Sequence, residues 1–287
     1  MTQMAADSTM RQKFIPDSFQ EASVAAALRG ERIYGDDFDA AAVGEWFEAE
    51  RDGYSSLAHE DALQPVYVYG AMDRAYGWRH LTNDRGLEAM GLGSAFGCEF
   101  ETLAPLLQHI TIVEPQESYW RADIVGVPAS YVSPNASGRI TAQNHSFDLV
   151  TAFGVLHHIP TVTATVAELV RVLRPGGRLM IREPITSMGD WRRPRPGLTA
   201  RERGIPPALM EKAIAAGGGR LLAVNYLGFG PLLKLASVCG MTSPWKHKSF
   251  VAIDRLCCRI FEGPGAYHRT TTASRFAPAI GYWVVTK

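Results

Sequence analysis

Cysteine, long apolar runs and net charge are all scarce in this 287-residue chain, and each scarcity removes a class of protein. The four cysteines, Cys98, Cys239, Cys257 and Cys258, form neither a paired framework nor a metal-ligand spacing. The adjacent pair sits on an apolar stretch, where packing is its ordinary use, so a reducing, cytoplasmic setting is expected. No segment reaches the roughly 18 uncharged apolar residues that a membrane span needs. The opening MTQMAADSTMRQKF has no long apolar core, so a chain neither exported nor anchored is expected. Lys plus Arg equal Asp plus Glu at 29 each, which gives no reason to expect nucleic acid or a membrane surface as partner. Internal repeats, low-complexity tracts and a GxGxxG run are also missing, and the last absence leaves a nicotinamide-binding fold without its fingerprint. What remains is 46% hydrophobic content, enough for a substantial core in one large domain or two small ones.

The stretch from 147 to 184, FDLVTAFGVLHHIPTVTATVAELVRVLRPGGRLMIREP, reads as strand, loop, amphipathic helix, glycine turn and strand. Phe147 to Phe153 is nearly all apolar, as a parallel strand covered on both faces is. Val162, Val166, Leu169, Val170 and Leu173 then repeat at helical spacing. Pro175, Gly176 and Gly177 are expected to stop that helix, and Arg178 to Ile181 to form the next strand. Upstream, Gly86 to Gly93 and ITIVEP at 110 to 115 read as strands; downstream, Arg220 to Tyr226 and IGYWVVTK at 280 to 287 do the same. The pattern predicts an α/β fold with a doubly wound, mostly parallel, seven-stranded sheet. A helical N-terminal cap is expected over residues 1–80 and a sheet domain over 81–287, with an insertion at 231–279 containing the buried helix SFVAIDRLCCRIF. The cap carries Trp46, Phe47, Tyr54, Tyr67, Tyr69, Tyr76 and Trp78, a density that suits a cover over a pocket, although aromatic clusters in a helical appendage are commonly plain core.

Two features together mark a cofactor site. GLGSAFG at 91–97 joins a strand to a helical segment with Phe100, Leu103 and Leu106, and its glycines let the backbone approach a ligand closely. An ordinary strand-to-helix turn has the same glycines. Glu114, seventeen positions beyond Gly97 at the end of ITIVE, adds a carboxylate able to accept both hydroxyls of a ribose.

The order GLGSAFG, ITIVEP, SFDLVTAFGVLHHI and LRPGGRLMI resembles the class I S-adenosyl-L-methionine (SAM)-dependent methyltransferases, in particular their small-molecule type 11 branch, over about residues 86–184. The resemblance implies SAM as cofactor. Gly93, Ser94, Ala95 and Gly97 would line its methionine part and Glu114 its ribose. Asn135 and Ser137 would face adenine, and Phe153 with Gly154 would close over the sulfonium. Gly91 stands where the family carries an acidic residue, and Ala95 where it carries glycine.

Methyl transfer needs an aligned nucleophile and, for a hydroxyl, a base. His157 and His158 follow the third strand's end and are candidate bases, paired histidines here being common also without that role; Glu183, at the next strand's end, is another. Strand alternation sends Arg182 to the side opposite Glu183. Tyr69, Arg182, Asp190, Trp191, Arg192 and Arg201 are candidate acceptor contacts. The arginines of WRRPRPGLTARERG at 191–204 suit an acceptor carrying phosphate or carboxylate or a solvated loop with internal ion pairs, and their place directly after the strand that should border the acceptor pocket favours the first. Glu183, Asp190 and Glu202 show no metal-ligand spacing, so no metal is expected. The expected activity is O-methylation of a small molecule, a sugar or glycoconjugate first and a secondary metabolite next. N-methylation and a non-catalytic SAM-binding subunit are the alternatives, and a homo-oligomer is compatible with each.

Overall fold

The computed structural model describes residues 19–57, 67–81, 85–135, 139–193, 195, 197–199, 201–261 and 265–287. Their strands run in chain order as β1 (Leu87–Leu92), β2 (Leu107–Val113), β3 (Asp123–Ile124), β4 (Val127–Val132), β5 (Phe147–Phe153), β6 (Leu173–Pro184), β7 (Arg220–Leu227) and β8 (Ile280–Thr286). In space the order is β3-β4-β2-β1-β5-β6-β8-β7. The strands from β4 to β6 pair in parallel, and β8 runs antiparallel between β6 and β7. This is the doubly wound, mostly parallel sheet read from the sequence, with one small addition. Val125 (φ 51) and Gly126 (φ 78) turn β3 back onto β4, using the successive positive φ angles that a tight hairpin requires.

The α-helices of the described residues are α1 (Phe19–Leu28), α2 (Ala40–Leu57), α3 (Gly70–Tyr76), α4 (Val162–Val172), α5 (Pro207–Ala216), α6 (Gly230–Val238) and α7 (Lys248–Ile260). Val162, Val166, Leu169 and Val170 of α4 are fully buried against Val150 and Ile181 on one sheet face, in a cluster that includes Met210 and Ile214 of α5. On the other face, Met72 of α3, Phe100 and Phe250 of α7 share a cluster with Ala89, Leu149, Met180 and Tyr282. With both faces covered, the inner strands need apolar residues at successive positions, which is why β5 shows a run and not an alternation.

The segment Cys98–Leu106 is helical as expected, a 3₁₀ helix with Pro105 inside it. Two local expectations differ from what forms. The Pro175-Gly176-Gly177 run is not a separate turn: β6 begins at Leu173, and its pairing with β5 jumps from Phe147–Leu173 to Leu149–Arg178. The glycine is needed there because a Cβ at Gly177 would stand 3.0 Å from the Arg174 and Asp148 carbonyl oxygens. Helix α7 is buried on one side only, through Phe250, Val251, Asp254 and Cys258, while Ile253, Leu256 and Ile260 are exposed.

The helices before the sheet are tied to its carboxyl edge by specific bonds. Trp46 is fully buried in a cluster with Val24, Tyr34 and Trp191, and its indole N–H donates to the His158 carbonyl at 2.8 Å. The Asp36 carboxylate accepts from the Thr163 amide at 2.8 Å and the Thr163 hydroxyl at 2.6 Å, over the first turn of α4. Arg203 completes the attachment. Fully buried, it donates to the carbonyls of Tyr34, Leu156, His157, Ile159 and Pro160 at 2.8–3.2 Å. Replacing it with methionine strands those carbonyls, and a loss of at least about 3 kcal/mol is expected in urea unfolding; an unchanged midpoint would remove Arg203 as the anchor.

Candidate active site

The loop after β1 is a cradle held from beneath. Gly93 (φ +61) donates its amide to the Val113 carbonyl at 2.9 Å, and a Cβ there would collide with the Val155 side chain. Ala95 also has positive φ, at 46°, a conformation that costs an L-residue roughly 1–2 kcal/mol. It is pinned from both sides: its amide donates to Glu114 Oε2 at 3.1 Å, and its carbonyl accepts the Tyr131 hydroxyl at 3.0 Å. Gly97 (φ +70) leaves no space for a Cβ beside Ile112 and Ile124.

Glu114 lies across this cradle at the end of β2, buried, with its other oxygen accepting the Gln116 amide at 3.1 Å. Burial raises its pKa, and the two amide bonds oppose the rise. Each carboxylate oxygen keeps a second lone pair, which suits a vicinal diol. Asn135 lines a groove of about 790 Å³ together with residues 139–144 and Arg171. Ser137 lies outside the described residues.

Beside Gly91 stands a buried carboxylate, Glu99, that sequence reasoning overlooked. At Gly91 a Cβ would collide with the Ser94 hydroxyl. That hydroxyl bonds the carboxylate of Glu99, which is buried and also stands 3.4 Å from the Thr151 hydroxyl, Thr151 being the β5 partner of Gly91. Burial, partly offset by the Ser94 bond, raises the Glu99 pKa to about 7. Its place two residues beyond Gly97, at the helix start, was the available signal.

A second cluster begins just past Gly154. Glu183 accepts the Val155 and Leu156 amides at 2.9 and 2.8 Å and faces His157 Nδ1 at 2.7 Å. The other nitrogen of His157 stands 3.4 Å from Glu202 Oε1. Burial by itself would depress the imidazolium, but the Glu183 and Glu202 carboxylates outweigh it and lift its pKa to about 9. His158, half-buried, has Nδ1 2.9 Å from Glu50 Oε2, and its ring centroid is 4.0 Å from that of His157. Thr199 closes the cluster by donating its hydroxyl to Glu50 at 2.7 Å and its amide to Glu202 at 3.0 Å. Glu50 had no sequence signal, since 108 residues separate it from His158.

Arg182 points to the opposite side of β6. It pairs with the fully buried Asp73 at 2.7 Å and donates to the Tyr67 hydroxyl at 3.0 Å. Its guanidinium lies 3.9 Å from the Tyr69 ring centre and 4.5 Å from that of Phe153. Burial disfavours its charge, but Asp73 outweighs that and holds the pKa above the ordinary guanidinium value. Tyr69, Phe153 and Arg182 are thus brought together, whereas the loop after Ser187 goes elsewhere. Trp191 stacks on Tyr34 at 5.0 Å, Asp190 pairs with Arg192 at 2.9 Å, and Arg201 approaches Glu45 at 3.9 Å. Arg195 donates to the carbonyls of Met188 and Thr199. Asp190 therefore does not join Glu183 and Glu202.

Residues 90–181 match a family model described as a methyltransferase domain. Over 150 residues the chain is 29% identical to a ubiquinone biosynthesis O-methyltransferase of Xanthomonas oryzae pv. oryzae (strain PXO99A), covering 50% of this chain and 57% of that one. A protein of the same name from Methylobacterium sp. (strain 4-46) is 28% identical over 148 residues, covering 49% and 58%. The chain thus spans little more than half the length of these curated relatives. Among solved structures, a candidate sarcosine dimethylglycine methyltransferase from Galdieria sulphuraria superposes with a TM-score of 0.50 at 14% identity, over 84% of this chain and 98% of that one; this likeness is one of fold.

Two expectations concern stability. Because the folded pKa of His157 lies above its ordinary 6.5, its stabilisation is complete below that value and is lost as pH rises through about 9. Urea unfolding between pH 6.5 and 9.5 should therefore show a decline that His157→Gln flattens; parallel profiles would show that the ion pairs contribute nothing. Ala95→Gly relieves the left-handed alanine at some entropic cost, and a net gain of about 0.5–1 kcal/mol is expected in the same assay.

Proposed function

The chain carries a class I SAM-dependent methyltransferase domain of the type 11 branch, whose cofactor is SAM, and from that premise we propose that it methylates a hydroxyl of a small molecule. The observation that carries this reading is the juxtaposition of the Gly93–Gly97 cradle and Glu114 with a buried histidine–carboxylate cluster that starts beside Gly154. The donor set fits the cofactor: a glycine loop whose backbone is bare of side chains at Gly93 and Gly97, where a Cβ would strike Val155, Ile112 and Ile124, and a carboxylate with lone pairs to spare across it.

When bound, SAM supplies an electrophilic methyl group on its sulfonium. In this reading Gly93, Ser94 and Gly97 line the methionine part, and Glu99 faces its ammonium in place of an acid at position 91. Glu114 accepts the ribose hydroxyls, Asn135 borders the adenine, and Phe153 with Gly154 covers the sulfonium end. The Arg182–Asp73 pair, roofed by Tyr69 and Phe153, keeps that end enclosed.

Among the candidate bases, Glu183 is engaged by two amides and an imidazole, and His157 already holds a proton at neutral pH. The acceptor hydroxyl in this reading therefore meets the part of the cluster formed by His158 and Glu202. A sugar or glycoconjugate hydroxyl stands first among acceptors and a secondary metabolite next. The relatives' printed names, which specify O-methylation, support oxygen over nitrogen. A cytoplasmic location and a homo-oligomer are parts of the same proposal.

Calorimetric titration with SAM and with its demethylated product tests the premise. Micromolar binding is expected, weakened at least tenfold by Glu114→Ala, which removes charge-assisted bonds of roughly 1.5–3 kcal/mol. Binding unaffected by that variant would overturn the assignment of Glu114.

A further inference from the structure

We propose that His157, His158 and Glu202 form a divalent transition-metal site, with zinc as its natural probe, in the position where the acceptor hydroxyl is received. One ring nitrogen of each histidine and a carboxylate oxygen of Glu202 all lie within 4.8 Å of one another. A tetrahedral zinc ion with bonds of about 2.0–2.2 Å holds its donors about 3.3 Å apart. His157 Nε2 and Glu202 Oε1 already stand 3.4 Å apart, and closing the widest separation by about 1.5 Å is a side-chain movement.

The surroundings of the three donors are those of a ligand set. Metal-binding histidines characteristically present their second nitrogen to a carboxylate, which fixes the ring and raises its basicity. Here both do so: His157 Nδ1 faces Glu183 at 2.7 Å, and His158 Nδ1 faces Glu50 at 2.9 Å. The next layer is also built, with the Thr199 amide on Glu202 Oε2 and the Thr199 hydroxyl on Glu50 Oε1, so that Glu202 Oε1 is the oxygen left towards the histidines. An ion pair alone would need one imidazole; this cluster provides each of two with its own buried carboxylate.

Charge points the same way. Glu50, Glu183 and Glu202 are buried carboxylates, and among the described residues their partners are imidazoles, the Thr199 hydroxyl and backbone amides. Arg195 and Arg203 are close by and give donors to backbone carbonyls, so three buried carboxylates stand against two guanidiniums. The site therefore favours a cation, and a divalent ion would need one bare nitrogen from each imidazole, with loss of any proton held there. Two imidazoles in the set select zinc-like ions over magnesium or calcium. Three protein donors leave a fourth position open for water or a hydroxyl. That last consequence rests on the proposed methyl transfer; the ion site itself does not.

The test is titration of chelator-treated, full-length chain with zinc against a chromophoric chelator, followed by cobalt(II) substitution. The expected result is one zinc per chain, weakened at least tenfold in Glu202→Gln and His158→Asn and about tenfold in Glu50→Gln, which removes only the carboxylate behind His158. Cobalt in the unaltered chain should give the intense visible bands of a tetrahedral site, a reading that does not depend on any variant folding. Absence of stoichiometric zinc, equal affinity in folded Glu202→Gln, or an octahedral cobalt spectrum would overturn the site. Zinc binding without SAM binding would leave the site standing and remove the methyltransferase reading; SAM binding without zinc would do the reverse.

Discussion

The buried chain Glu183–His157–Glu202 is the interaction on which the site's arrangement depends. It runs from the end of β6, through the turn after β5, to the loop that follows Trp191, segments with no covalent reason to stay together. Two carboxylates and an imidazole taken out of water lose much hydration, and their attraction offsets this only when the remaining lone pairs are satisfied. Here they are: Glu183 also accepts two amides, and Glu202 accepts one from Thr199. Removing His157 takes away the one group that both carboxylates share and leaves them only their amide bonds, so the arrangement tends to be kept whole or lost whole.

Arg203 performs the complementary task with neutral partners. Its guanidinium gathers carbonyls from Tyr34 and from residues 156–160, so the helical N-terminal part, the turn bearing both histidines and the loop after β6 share one fixed point. Trp46 bonds the His158 carbonyl from the other side. The histidines are thereby held on their backbone and on their rings.

On the cofactor side the same economy of contacts is visible in a strained residue. Ala95 keeps the left-handed backbone that glycine would adopt freely, and Glu114 and Tyr131 hold it there. Strain of this sort persists where neighbours over-determine it. Glu114 supports the loop through the Ala95 amide and keeps a further lone pair on each oxygen.

Local periodicity carried most of the fold. The apolar run of β5, the spacing of α4 and the pairing of a glycine loop with Glu114 were legible because each depends on neighbours within about one element's length, where backbone geometry alone dictates the pattern. The Pro175-Gly177 run was misread as a turn because its strand character comes from pairing with Phe147, 26 residues earlier than Leu173. The exposed face of α7 and the two-residue β3 were likewise invisible, since the first depends on which side meets the sheet and the second on a hairpin at its edge. His157, His158 and Glu183 could be named from the sequence as polar groups at strand ends. That His157 is bracketed by two carboxylates, that Glu50 stands behind His158 and Asp73 behind Arg182, and that Glu99 occupies the region beside Gly91 were decided by tertiary structure alone. Partners more than 100 residues apart, such as Glu50 and His158 or Asp73 and Arg182, leave no periodic trace, because their meeting is set by how the sheet and its covering helices pack.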